Sequence, residues 1–218
     1  MKYDDAWAWQ KYPNHHWTFN KLYIAEMCGY RCGPSGVPIP SDGKYIIRPI
    51  INLHGMSLDA YACNLKQDDI ITPAGYFWCE FFEGSHVSVD YWAKDNFQQG
   101  LTVMGSKAKD SLYKFRNWTK MSLLDFPLDR WFDVSSFEGV DVVNVEYIAG
   151  KPIEIHLRHN PDFENHSCDY LEVIWESDVE NNPDWLKLYD SSWQWIDSRD
   201  TVPGKDIRLG FMGKKLTC

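Results

Sequence analysis

The residues best suited to chemistry lie in one short stretch, Asn144-Val145-Glu146-Tyr147-Ile148-Ala149-Gly150-Lys151-Pro152-Ile153-Glu154-Ile155-His156-Leu157-Arg158. Val145, Tyr147 and Ile148 precede an Ala-Gly turn, and Ile153, Ile155 and Leu157 follow it, which reads as a β-hairpin. Side chains alternate along a strand. Glu154, His156 and Arg158 therefore share the face opposite Ile153, Ile155 and Leu157. A turn of about three residues sets Glu146 across from Glu154 on that face. Two facing carboxylates repel unless a cation lies between them. Mg²⁺ meets that need with oxygen ligands and keeps room for phosphate oxygens. The same spacing also describes a polar face turned to water, and spacing alone divides evenly between the two.

The elements that must position these residues come from a chain of 218 residues, enough for one domain or two small lobes. Hydrophobic residues make up 44%, so a core is available and the composition argues against wholesale disorder. Aromatics reach 16%, with 11 Trp, which implies flat apolar surfaces packed on one another, on an acceptor or on a partner. The formal net charge of −9 argues against sequence-independent nucleic-acid binding, which needs clustered Lys and Arg. No run approaches the ~20 apolar residues that span a bilayer. Met1-Lys2-Tyr3-Asp4-Asp5 lacks the layout of a secretory signal, so a cytoplasmic location is expected. Cys28, Cys32, Cys63, Cys79, Cys168 and Cys218 match no disulfide scaffold. Cys28 and Cys32 could begin a zinc site, but no second close pair follows, and reduced thiols are expected.

Along the chain, residues 1–19 show no clean periodicity. Asn20 to Gly29 reads as a helix with an Asn N-cap and a Gly stop. Residues 32–40 carry three prolines and read as an extended loop. Strands are expected over 45–51, 76–82 and 86–92, the last alternating with period two, with a loop over 52–60 around Gly55. Residues 101–120 hold a further strand and a basic, aromatic stretch. Residues 122–137 read as helical or irregular. Beyond the hairpin, 170–175, 185–189 and 207–212 are apolar segments between loops.

Three segments, in this order, resemble the ATP-grasp superfamily. The first is Lys44-Tyr45-Ile46-Ile47-Arg48-Pro49, followed by Asn52-Leu53-His54-Gly55-Met56. It is similar to the Lys-Pro or Arg-Pro strand and glycine loop of that family, in the Arg-Pro form of carbamoyl-phosphate-synthetase-like members. The second, Trp78-Cys79-Glu80-Phe81-Phe82-Glu83-Gly84-Ser85-His86, resembles the hinge that presents main-chain groups to adenine. His86 stands where Glu is common and where some biotin-carboxylase-like members have His. The third, Glu154-x-His156-x-Arg158, is similar to the Glu-x-Asn-x-Arg metal strand, with Glu146 near the place of the other metal carboxylate. The likeness covers roughly residues 20–160, and the short length resembles compact phage-encoded members.

The resemblance implies an α+β fold of two lobes whose antiparallel sheets grip a nucleotide, without the usual N-terminal substrate domain. It divides the chain into a smaller lobe (residues 1–78) and a larger lobe with the hairpin and a C-terminal extension (residues 79–218). It implies ATP and Mg²⁺, with Mn²⁺ as the alternative ion because His156 is a nitrogen donor. Arg48 and Arg158 take catalytic roles on phosphate and acylphosphate oxygens. Arg48, Gly55, Cys79, Glu80, Phe82 and His86 line the nucleotide, and Glu146, Glu154 and His156 hold the metal. The implied activity is ATP-dependent carboxylate–amine ligation through an acylphosphate. A nucleotide-binding or virion-associated protein without turnover and a kinase are the alternatives. The single glycine of the phosphate loop favours the former, because only glycine lets main-chain N–H groups crowd an anion freely. A small carboxylate and an amine are the expected partners, with no membrane partner, and the location would be host cytoplasm if the chain is viral. Lys44 reads as a solvated strand edge, Lys107 to Lys120 as a solvated basic face, and His15-His16 as a packed or surface pair. Glu80 and Glu83 are expected to flank the nucleotide.

Overall fold

A computed structural model of the chain describes residues 4–109, 111–122, 125–164, 166–202 and 204–216. The first three residues read for a leader, and Cys218, lie outside these. The fold is α+β, built on two antiparallel sheets. The smaller sheet holds β1 (Cys32–Pro34), β2 (Gly43–Pro49), β3 (Tyr61–Leu65) and β4 (Tyr76–Glu80), in the order β1-β4-β2-β3. The larger has eight strands: β5 (His86–Trp92), β6 (Gln98–Lys107), β7 (Phe115–Lys120), β8 (Val142–Ile148), β9 (Lys151–His156), β10 (Tyr170–Trp175), β11 (Gln194–Asp200) and β12 (Arg208–Lys214). Their order is β11-β12-β10-β7-β6-β5-β8-β9, which puts the hairpin strand β9 at one end.

Two short helices precede the sheets, α1 (Asp5–Lys11) and α2 (Lys21–Met27), and α3 (Glu176–Asn181) follows β10. Asp4 caps α1 by accepting from Trp7 N, and Asn20 caps α2 by accepting from Tyr23 N. Gly29, at φ +70°, follows the helix, the conformation a glycine stop supplies. α2 and the 3₁₀ turn over Pro13–Phe19 pack against β9. Ala8, Phe19 and Ile24 from this region share one core with Val87, Val89 and Tyr91 of β5, Val143, Val145 and Tyr147 of β8, and Ile155 of β9. Burying each such Val or Ile stabilises the fold by about 1.5–3 kcal/mol.

The hairpin corrects its expected turn while keeping the expected register. The connection is two residues, Ala149 and Gly150, both at positive φ (51° and 77°), as a right-twisted hairpin requires. Tyr147 pairs with Pro152, but Glu146 pairs with Glu154, because a bulge leaves Ile153 unpaired between them. Residues 32–34, expected as loop, form an edge strand on β4, where prolines are tolerated. β3, β11, α1 and α3 are elements beyond those the periodicity indicated. Among the described residues of 122–137, the short 3₁₀ turns Leu128–Arg130 and Val134–Phe137 are the regular elements, and the apolar segment at 185–189 holds a 3₁₀ turn. Among the described residues, no helix is long and apolar enough to cross a membrane.

Candidate functional site

The three adjacent strands β5, β8 and β9 bury both faces. One face is the apolar core. The other carries His86, Ser88 and Asp90 of β5, Asn144 and Glu146 of β8, and Glu154 and His156 of β9. His86, Ser88, Asp90, Asn144 and His156 are all buried. Alternation therefore delivers a polar stripe across three strands, buried along most of its length and opening to a cleft at the half-buried Glu146 and Glu154. Buried polar groups of this kind need partners, and the stripe supplies them. Asn144 Nδ2 donates to Ser88 Oγ and to Asp90 Oδ1, both at 2.8 Å. Asp90 also accepts from the Asn160 N–H. Burial nevertheless pushes the Asp90 carboxyl up to about 6.

Glu146 sits between two imidazoles. His86 Nε2 is 3.0 Å from its Oε2, and His156 Nε2 is 3.5 Å from its Oε1. Burial alone would raise the Glu146 carboxyl, but hydrogen bonds and charge from both histidines hold it well below the usual range. His86, deep against Phe115 and Trp118, is driven down by burial, against the pull of Glu146. His156 behaves in the opposite way. Burial opposes its charge, yet Asp5 outweighs it and raises the imidazole to about 10.

Two residues outside the sequence motifs complete the stripe, each brought round the end strand β9 by the N-terminal helices. Asp5, at the start of α1, accepts from His156 Nδ1 (2.9 Å to Oδ2) and from Arg158 Nε (2.9 Å to Oδ1). Lys21, the first residue of α2, places Nζ 2.8 Å from Glu154 Oε1, with its side chain only 6% exposed. A faint signal existed for Lys21, which directly follows the helix-capping Asn20. Asp5 carried none, since its partner is 151 residues away.

Two clefts flank this stripe. The first, about 760 Å³, lies between the sheets. Cys79 and Glu80 at the end of β4 and Phe82, Glu83 and Gly84 of the connecting segment line it, with Tyr30, Met104 and Thr119. The second, about 500 Å³, is charged, lined by Asp5, Lys21, Glu146, Glu154, His156, Arg158 and Arg208. Arg48, His86, Lys107 and Ile153 line both, so the clefts meet beside the acidic pair. Arg48 projects from β2 over Phe77 (5.2 Å) and donates from Nη2 to Ile153 O at 2.9 Å. That acceptor is the carbonyl of the bulge residue. Arg48 Nε is buried and makes no hydrogen bond among the described residues.

Of the residues singled out in the sequence, Arg48, Cys79, Glu80, Phe82 and His86 border the first cleft. Glu146, Glu154, His156 and Arg158 border the second with Gly55. The loop around Gly55 is tightly coiled, with Met56, Ser57 and Asp59 also at positive φ. Arg158 lies beyond the end of β9 and is engaged by Asp5. Glu80 holds Arg31, accepting from its main-chain N–H, and Lys44 is exposed to solvent as expected, paired with the exposed Glu83 at 2.9 Å. The basic stretch departs from a solvated face at two points. Lys107 lies in the clefts, 4.9 Å over Phe115, and burial lowers its ammonium. Lys114 is tied to Asp206 at 2.7 Å. His16 stacks on Trp9 at 3.6 Å, a packed role. The five described cysteines are unpaired thiols, and burial pushes Cys79 up to about 12.

The donors of the stripe suit a divalent cation. Glu146, Glu154 and His156 each bring one ligand atom within 4.8 Å of the others. Asp5 occupies Nδ1 of His156, and the buried Nε2 faces Glu146 Oε1 at 3.5 Å, where a cation would displace its proton. A histidine anchored by a carboxylate through one nitrogen and open at the other is how imidazole ligands are oriented. Two carboxylates and one imidazole accept Mg²⁺ and favour Mn²⁺ more strongly.

No family model and no curated protein matches the sequence. Solved structures do match the fold. N5-carboxyaminoimidazole synthetase from Staphylococcus aureus in complex with ADP aligns with a TM-score of 0.61 at 10% identity, over 92% of this chain and 68% of that one. A second structure of the same protein aligns with a TM-score of 0.56 at 10% identity, over 90% of this chain and 67% of that one. N5-carboxyaminoimidazole synthase from Aspergillus clavatus, in complex with ADP and 5-aminoimidazole ribonucleotide, aligns at 0.54 and 10% identity, over 94% and 70% of the two chains. With the motif order above, these likenesses show that the chain has an ATP-grasp fold. It spans about two thirds of the length of those neighbours.

Proposed function

We propose that the protein is an ATP-dependent ligase that activates a carboxylate and joins it to a nitrogen nucleophile. The observation that carries this reading is the junction of the two clefts. An aromatic-lined cleft and a charged cleft meet at Arg48 and Lys107, beside a facing pair of carboxylates. Structural neighbours described in complex with ADP support the nucleotide.

In this reading adenine lies in the larger cleft against Tyr30 and Phe82, and main-chain groups of residues 79–82 read its edge. Arg48 and Lys107, from opposite sheets, receive the phosphates. Both are restrained, Arg48 by Ile153 and Phe77 and Lys107 by Phe115, so little side-chain freedom is lost on binding. A divalent cation held by Glu146, Glu154 and His156 would supply charge neutralisation for the β- and γ-phosphates. The acceptor carboxylate sits in the second cleft near Arg158. Its oxygen bonds to the γ-phosphorus as the bond to the β,γ-bridging oxygen breaks, releasing ADP. The amine then attacks the acyl carbon, phosphate leaves, and the amine loses a proton. Phosphoryl transfer of this kind asks for positioning and charge rather than a covalent side chain.

A binding protein without turnover is the second reading. Its specific support is that Glu146 and Glu154 already have cationic partners or imidazoles within the chain. ADP release, measured with ATP, Mn²⁺ and mixtures of small carboxylates and amines, separates the two. Turnover that disappears in Glu154→Gln supports the ligase. ATP binding without ADP release supports the second reading, and absence of both overturns each.

A further inference from the structure

Lys21 is a buried ammonium in contact with a metal-binding carboxylate, and its placement is fixed from several directions. Its main-chain N–H donates to Ile50 O at 2.9 Å, and Asn20 caps the same helical turn. Its Nζ lies 2.8 Å from Glu154 Oε1 and 3.5 Å from Asn52 O. A lysine buried to this degree cannot swing into water without abandoning helix and loop together, and a displaced ammonium left inside would lack compensation.

The oxygens of the stripe are therefore already divided. Lys21 takes Glu154 Oε1, and His86 takes Glu146 Oε2. What remains toward a cation is one oxygen of each carboxylate and Nε2 of His156. Three protein donors, with nucleotide oxygens or water in the other positions, fill one octahedral ion. They do not fill two. We propose that Lys21 acts as a fixed cation of the phosphoryl-transfer site, occupying Glu154 Oε1 so that the chain loads one divalent ion per bound nucleotide. The assignment rests on the nucleotide reading above. Lys21 would be a positioning residue, holding Glu154 with a single oxygen turned to the ion and adding a positive charge beside the transferred phosphoryl group.

The test counts ions. Equilibrium dialysis against Mn²⁺ with saturating non-hydrolysable ATP analogue, with bound ion quantified by electron paramagnetic resonance after acid release, should give one Mn²⁺ per chain. Lys21→Met should raise the count to two, and Lys21→Arg should leave it at one. Should Lys21→Met fail to fold, Lys21→Gln, neutral but able to hydrogen bond Glu154, carries the same comparison. Two Mn²⁺ in the unaltered protein overturn the assignment, as does one Mn²⁺ in a folded, nucleotide-binding neutral variant. An unaltered protein that binds no nucleotide overturns the nucleotide reading itself, and this proposal with it. Nucleotide binding with two ions overturns only the role of Lys21.

Discussion

Asp5 shows what one residue does in this site. It is a carboxylate in α1 that no motif contains, yet it fixes both His156 and Arg158. Burial would raise its pKa, but those two cations hold it well below the usual carboxylate range. Removing it strands two buried groups, so Asp5→Ala should cost about 3–5 kcal/mol, read as a shift of the urea midpoint at constant slope. A change within 0.5 kcal/mol would mean that the cluster is solvated. Asp90 makes the complementary case. Its folded-state pKa is raised to about 6 from 3.8, so its contribution to stability is full below 3.8 and is lost as pH rises through 6. Asp90→Asn keeps an acceptor for Asn144 but cannot ionise. It should match the unaltered protein in acid and become the more stable of the two by on the order of 2–3 kcal/mol at neutral pH. A difference that does not vary with pH would contradict the burial of that charge. Residue identities in the hairpin were legible because alternation places them on one face. Asp5 and Lys21 were not, since contact across more than a hundred residues leaves no local pattern.

The hairpin β8–β9 is the element on which the site depends, and it shows how a sequence can give the correct register from the wrong turn. Glu146 faces Glu154 through a two-residue turn plus a bulge, which together displace the pairing as far as a three-residue turn would. The bulge also leaves the Ile153 carbonyl free to accept Arg48, tying the smaller sheet to the larger. Gly84, between the sheets, lies at φ +146° with Ala149 so close that a Cβ would stand 2.8 Å from the Ala149 methyl. Gly84→Ala therefore strains backbone and contact together and should cost about 1–3 kcal/mol, seen as a lower melting temperature. An unchanged melting temperature would show that the connecting segment is free to move. Strands with clean alternation, such as β5, were legible. α1 was not, because, unlike the equally short α2, it is followed by no glycine stop and ends directly before Tyr12-Pro13. β11 is a half-exposed edge strand with polar residues on both faces, and β3 is an edge strand of only five residues, so neither period stands out.

At the scale of the molecule, two sheets meet over one pair of connected clefts, and Arg48 crosses between them. A nucleotide bound there contacts both sheets and should raise the melting temperature in proportion to the logarithm of its concentration above Kd. Arg48→Ala removes one charge-assisted contact, about 1.5–3 kcal/mol, and should weaken nucleotide binding about 10- to 100-fold by calorimetry. Equal affinity would place the phosphates elsewhere. The most direct test is a crystal structure with a non-hydrolysable ATP analogue and Mn²⁺. The account predicts adenine against Tyr30 and Phe82, phosphates on Arg48 and Lys107, and the ion at Glu146, Glu154 and His156. Nucleotide bound away from that junction, or an ion that ignores the hairpin carboxylates, would contradict it.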